Sequence, residues 1–260
     1  MISTRRQTIR PSAGTLRAAL GVTSLALFAA GCTSIAGPAP VASDPAPAIY
    51  GAIDDGGNAI PAVNLAYLPT QYRRQEVATP WSIPDEPGTI VVDTRNRFLY
   101  LVGAGGRSMR YGIGVGRAGF SWSGEATIRD KQRWPRWIPP KEMVARDPLA
   151  AEWANGMPGG IDNPLGARAL YLWQGNKDTL YRLHGTNDPS SIGKAVSSGC
   201  VRLVNQDMID LYNRVPVGTR VIVLSAPESI PVAELFEPIF GPLLSTIAGP
   251  RTPPANVGPI

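Results

Sequence analysis

The 260-residue chain has one histidine, His184, and two cysteines, Cys32 and Cys200. A single histidine leaves one side chain suited to take up a proton near neutral pH. Two cysteines allow at most one disulfide, and none within the chain if Cys32 is modified. Acidic residues are missing from the first 32 positions, which hold Arg5, Arg6, Arg10 and Arg17. The formal charge of +5 is therefore concentrated there, and the remainder carries 21 bases against 20 acids. That balance excludes an electrostatic case for nucleic-acid binding. The apolar run Ala18 to Ala30 is short for a bilayer span and has the length of a signal h-region. No helix pattern follows Gly114-Val115-Gly116, so these glycines are not a dinucleotide fingerprint. No cofactor and no metal are expected.

Glycine and proline are plentiful, at 28 and 26, which favours turns and extended segments over long helices. Strands are expected at Thr89 to Asp93, Arg97 to Val102 and Arg107 to Val115, with a turn at 103–106. A further strand is expected around Trp122 to Ile128. The runs Ala167 to Trp173 and Thr179 to His184 flank the turn 175–178 as a hairpin, so His184 ends a strand. Asp188-Pro189 is read as the start of a short helix reaching about Val196, and Asn205 as the cap of a second one. Gly218 to Leu224 is a last strand. The stretch Trp134 to Asn163 breaks the β pattern; its tryptophans and methionines make it either a cap on a site or a satellite core under a long loop.

The densest chemistry lies between His184 and Val204. Cys200 follows His184 by 16 positions, so the one base accompanies the one plausible nucleophile. A thiol has an ordinary pKa of roughly 8.5 and attacks as thiolate, so it needs a proton acceptor. Ser198-Gly199 permits a tight turn ahead of Cys200, leaving backbone N–H groups to face an oxyanion.

The pattern His184-Gly185-Thr186, then Ser197-Ser198-Gly199-Cys200-Val201-Arg202, resembles the signature of the L,D-transpeptidases, the YkuD-type catalytic domain. The resemblance extends over roughly residues 87–225. One position departs: Ser198 stands where the family usually has His or Asn. The resemblance implies a mostly β fold, a sandwich of mixed sheets with short helices near the site. It assigns Cys200 as nucleophile and His184 as general base, with the Gly185 carbonyl holding the ring tautomer. Gly199, Cys200 and Ser198 belong to the oxyanion side. Arg202 either binds a substrate carboxylate or forms a structural ion pair. The implied substrate is the peptidoglycan stem peptide. Its third-residue acyl group passes through a thioester to an amine of another stem or of an outer-membrane protein. Water as acceptor would make an L,D-carboxypeptidase. A non-catalytic wall-binding lipoprotein is the reading from a different class, motivated by Ser198, and a cysteine peptidase of another fold is a third.

Ala29-Ala30-Gly31-Cys32 resembles a lipobox, where bacterial lipoproteins are acylated on the cysteine. Ala29 replaces the usual Leu, which leaves plain export or an uncleaved anchor as alternatives. The expected organisation is a signal segment over 1–32, a Pro/Ala-rich tether over 33–86, the catalytic domain over 87–226 and a tail over 227–260. The expected location is the periplasm, anchored to a membrane through lipid on Cys32.

Overall fold

The computed structural model describes residues 46–84, 86–116, 122–197, 199–225 and 228–235. In chain order the strands are β1 (Ile53–Asp54), β2 (Ala59–Ile60), β3 (Gln75–Ala78), β4 (Ile90–Asp93), β5 (Phe98–Val102), β6 (Arg107–Gly112) and β7 (Val115–Gly116). They continue with β8 (Gly124–Arg133), β9 (Arg168–Gln174), β10 (Lys177–His184), β11 (Ala195–Ser197), β12 (Val201–Arg202) and β13 (Arg220–Val223). The helices are short: α1 (Ala46–Ile49), α2 (Lys141–Val144), α3 (Pro148–Glu152), α4 (Asn205–Arg214) and α5 (Val232–Leu235). The fold is mostly β, as the resemblance implied. Among the described residues no helix is long and apolar enough to cross a membrane.

Nine strands form one mixed sheet in the order β12-β10-β9-β8-β13-β4-β5-β6-β3. Two neighbour pairs are parallel, β13 with β4 and β10 with β12; the others are antiparallel. In a flat sheet β12 and β6 would stand seven strand spacings apart, roughly 34 Å. Yet Gly114, just beyond β6, exchanges two backbone hydrogen bonds of 2.9 Å with Arg202 in β12. The sheet therefore rolls until its two ends meet, and one continuous sheet supplies both layers of a β core. The enclosed face holds Ile90 and Val92 of β4, Ile128 of β8, Leu172 of β9, Leu183 of β10 and Val201 of β12 in one apolar cluster, closed by Met208 and Leu211 of α4. The outer face of β4 and β5 is covered as well, where Val91, Phe98 and Tyr100 pack with Ile230 and Leu235 of the tail. That double burial explains why Ile90–Asp93 is buried at every position.

Three local expectations change. Residues 46–84, expected as part of a Pro/Ala-rich tether, pack on the sheet instead. Tyr50, Val63 and Leu68 are buried against Ile192 and Val204, and β3 pairs with β6 along four residues. Each such side chain contributes about 1.5–3 kcal/mol on burial, enough to hold an arm that lacks periodic structure. The helix expected after Asp188 is one 3-10 turn, Pro189–Ser191, capped by Asp188 accepting from the Ser190 N–H. Gly193, at φ +80°, ends it, and Ala195–Ser197 pairs instead with β7 in parallel. Asn205 begins α4 but makes no helix cap. Its Oδ1 accepts from the Ala167 N–H at 2.9 Å, tying the helix to the start of β9.

Candidate active site

The site grows out of the parallel pairing of β10 and β12. Leu183 stands opposite Val201, and His184 opposite Arg202. Side chains alternate along a strand, and register partners point the same way. Leu183 and Val201 share the core face, both fully buried. His184 and Arg202 share the other face. Continuing the ladder by one residue brings Cys200 level with Arg182, on the same face as His184. His184, Gly199, Cys200 and Arg202 all line one cleft of about 1520 Å³.

The His184 ring is buried, and its Nδ1 lies 2.6 Å from the Gly185 carbonyl oxygen. A carbonyl can only accept, so Nδ1 carries the proton and Nε2 is the basic nitrogen. Burial pushes the imidazole pKa down to about 4; the Gly185 bond opposes this, and the Arg202 and Arg182 charges add to it. Burial pushes the Cys200 thiol up, while a backbone hydrogen bond from Arg182 and the charges of Arg182 and Arg202 pull it back. At neutral pH the resting pair is an uncharged imidazole and an uncharged thiol.

Glycine at 185 has a steric reason. A Cβ there would run into Asn205 Oδ1, the same atom that receives the Ala167 N–H. The Gly185 N–H in turn donates to the Arg168 carbonyl at 3.0 Å. The peptide that orients the histidine is thus held from both sides. Gly199 sits at φ +134°, where an L side chain is rarely found, so the turn expected before Cys200 does demand glycine. Arg202 is half-buried, and its Nε is buried without a hydrogen-bond partner among the described residues. Burial lowers its pKa, countered by the carboxylate of Asp188 and by Cys200. Ser198 and Cys32 lie outside the described residues.

The stretch between β8 and β9 borders the same cleft, contributing Trp137, Met143, Trp153 and Met157. It is ordered by its own bonds. Trp137 and Met157 exchange backbone hydrogen bonds at 2.9 and 2.7 Å, and the buried Asn163 amide donates to the Pro135 and Pro158 carbonyls. Among the cleft residues that escaped the sequence reading are Leu180 and Tyr181. They sit in a hairpin arm that read as ordinary strand, and the only signal was their closeness to His184 in the chain. Among the described residues no group of three or more His, Cys, Asp or Glu could hold a metal ion.

Residues 87–223 match the family model of YkuD, the L,D-transpeptidase catalytic domain. The chain is 35% identical over 152 residues to the probable L,D-transpeptidase YbiS of Escherichia coli K12, covering 56% of this chain and 47% of that protein. It is 36% identical over 144 residues to the probable L,D-transpeptidase ErfK/SrfK of Salmonella typhimurium, covering 53% and 44%. The chain thus spans about half the length of these curated relatives. A crystal structure from Brucella melitensis, titled a probable carnitine operon oxidoreductase, shares 51% identity over 62% of this chain and 99% of its own, with a TM-score of 0.42. The match to the family model takes in more than half of the chain, including the His184 and Cys200 segments, and the chain belongs to the YkuD family, the L,D-transpeptidase catalytic domain.

Proposed function

We propose that the protein is a peptidoglycan L,D-transpeptidase that works through a cysteine thioester. The observation that carries this reading is the one cleft that His184 and Cys200 both line, with the His184 tautomer tied by Gly185. In the reaction, His184 Nε2 takes the S–H proton as Cys200 Sγ bonds to the carbonyl carbon of the third stem residue, a diaminopimelate. The N–H groups of Gly199 and Cys200 receive the oxyanion. Collapse breaks the amide bond, and the imidazolium returns the proton to the departing D-alanine amine. An amine of a second stem, or of an outer-membrane protein, then attacks the thioester and regenerates the thiol. The uncharged resting pair favours proton removal in step with attack over a standing thiolate.

Arg202 takes the substrate carboxylate in this reading. Its place on the cleft wall beside His184 and Cys200 supports that role over a purely structural ion pair. The Trp and Met side chains of the β8–β9 stretch form the apolar wall. The protein is exported to the periplasm and held at a membrane by lipid on Cys32; intact mass of membrane-extracted protein tests that part.

The central test incubates the purified protein with a stem tetrapeptide and follows D-alanine release and product mass. A cross-linked product marks an amine acceptor, and a tripeptide alone marks water. A carbapenem, whose strained acyl group the family accepts, should add its mass to the peptide containing Cys200. Absence of both D-alanine release and adduct would leave the non-catalytic wall-binding reading.

A further inference from the structure

Leu180 combines three features that hairpin geometry alone does not require. It is an apolar side chain 75% exposed on the wall of the catalytic cleft. Its backbone lies at φ +63°, a region that non-glycine residues rarely occupy. Its carbonyl oxygen is the acceptor for Cys200 Sγ at 3.9 Å. The conformation is built by neighbours. The β10–β9 register shifts between Asp178 and Arg182, so Leu180 sits in a bulge. Asp178 Oδ1 accepts the Leu180 N–H at 2.9 Å, while the same carboxylate grips Arg182 with two bonds of 2.8 Å. On the other side Thr179 Oγ1 donates to the Leu172 carbonyl at 2.6 Å and accepts the Tyr181 N–H at 3.2 Å.

A bulge at this point turns one carbonyl toward the sulfur and one apolar side chain outward. We propose that Leu180 is a positioning and specificity residue: its carbonyl receives the Cys200 S–H and fixes the direction of the sulfur, and its side chain offers an apolar ledge to the aliphatic part of the acyl donor. This rests on Cys200 being the nucleophile of stem-peptide transfer. An S–H group is a weak donor, but a directed acceptor is enough to select one of the three staggered positions open to the thiol. The bond serves the resting thiol only. Once the proton has moved to His184, the carbonyl dipole faces a negative sulfur and helps drive it onto the donor.

Two substitutions in the full-length protein separate the two parts. Leu180→Asn keeps a residue that tolerates a left-handed backbone and removes the apolar side chain. It should raise KM for a stem tetrapeptide at least threefold, with the pH profile of Cys200 alkylation by iodoacetamide left in place. Leu180→Val keeps an apolar side chain, but its branched Cβ disfavours positive φ. By displacing the carbonyl it should move the alkylation profile to lower pH and lower kcat at least threefold. Thr179→Ala, which removes the uncharged bonds to the Leu172 carbonyl and the Tyr181 N–H that hold the bulge, is the second route to that displacement should Leu180→Val not fold. Digestion and mass mapping confine the alkylation signal to Cys200. An unchanged KM in Leu180→Asn overturns the ledge, and an unmoved profile in the displaced variants overturns the carbonyl's role. If the wild type releases no D-alanine, the functional reading has failed, yet the alkylation profiles still decide the carbonyl's part.

Discussion

Around α4, Asp207 and Asp210 meet Arg74 and the hydroxyls of Tyr50 and Tyr111; in the cleft, His184 and Cys200 meet backbone carbonyls with two guanidinium groups nearby. Both places bury titratable side chains, and they are built differently. Tyr50 donates to Asp207 at 3.1 Å, Tyr111 to Asp210 at 2.6 Å, and Arg74 pairs with Asp210 at 2.8 Å. Burial raises the Asp210 carboxyl, but the bonds from Arg214 and Tyr111 and the Arg74 charge more than offset it and hold the group below its usual range. The Asp210 carboxylate is answered by Arg74 and Arg214, and together with the Tyr50–Asp207 bond this fastens the arm 46–84 to the sheet domain. In the cleft, neither Arg182 nor Arg202 complements a histidine. Burial and like charge keep His184 neutral, ready to accept a proton. A cluster that balances its charges is a fastener; one that leaves a base uncharged inside a cleft is poised to react.

The largest effects should come from the cleft. His184→Ala and Cys200→Ala should each lower D-alanine release by at least about 10³-fold, the upper part of what general-base and covalent catalysis supply. Melting temperatures should stay within a few degrees of wild type. Because the pair acts as a unit, the double variant should be little worse than either single one. Substantial turnover in Cys200→Ala would break the contrast, since the cleft would then hold no reactive group.

The fastener should show the reverse pattern. Arg74→Ala leaves the buried Asp207 without its cation and Asp210 with Arg214 alone, a change that costs about 3 kcal/mol in stability. Denaturant unfolding should show that loss, while D-alanine release per folded molecule changes less than twofold. If activity falls with stability unchanged, the arm belongs to the catalytic apparatus and the division between the two clusters is wrong.

How much of this was legible in the chain depends on the range of the interactions. The strands of the sheet follow from local alternation and β-branched content, so β4, β5, β6, β9, β10 and β13 lay close to their expected places. That His184 and Cys200 share a cleft was legible because they lie in one short stretch whose surrounding letters are specific. The arm was not, because Tyr50, Val63 and Leu68 are sparse and find Ile192 and Val204 more than a hundred residues away. Asn205 was misread for a similar reason. A helix-start residue ordinarily caps its own helix, but here Ala167 offers an N–H from another strand. The positive φ of Leu180 was not legible from its residue type, which argues against it; the local cue was Asp178 and Thr179, whose side chains accept the Leu180 and Tyr181 N–H groups.

The smallest effect, and the one that sharpens the contrast most, concerns pH and stability. His184 has its folded pKa pushed down to about 4 from an ordinary 6.5. The unfolded chain therefore binds the extra proton first, and the stability this group contributes is lost as pH falls from about 6.5 through 4. Asp207 runs the other way. Burial pushes its carboxyl up to about 7 from 3.8, with Arg74 and Tyr50 opposing, so its contribution is present at low pH and lost as pH rises through 7. Over pH 4.5–7 the two contributions have opposite sign, and wild-type stability should change little. Removing one exposes the other. His184→Gln should grow more stable on acidification across that window relative to wild type, and Asp207→Asn should grow less stable. Urea unfolding at half-unit pH steps measures both. Should the two variants track wild type in parallel, the burial assigned to these side chains does not control their protonation, and neither the neutral base nor the charged fastener survives as described.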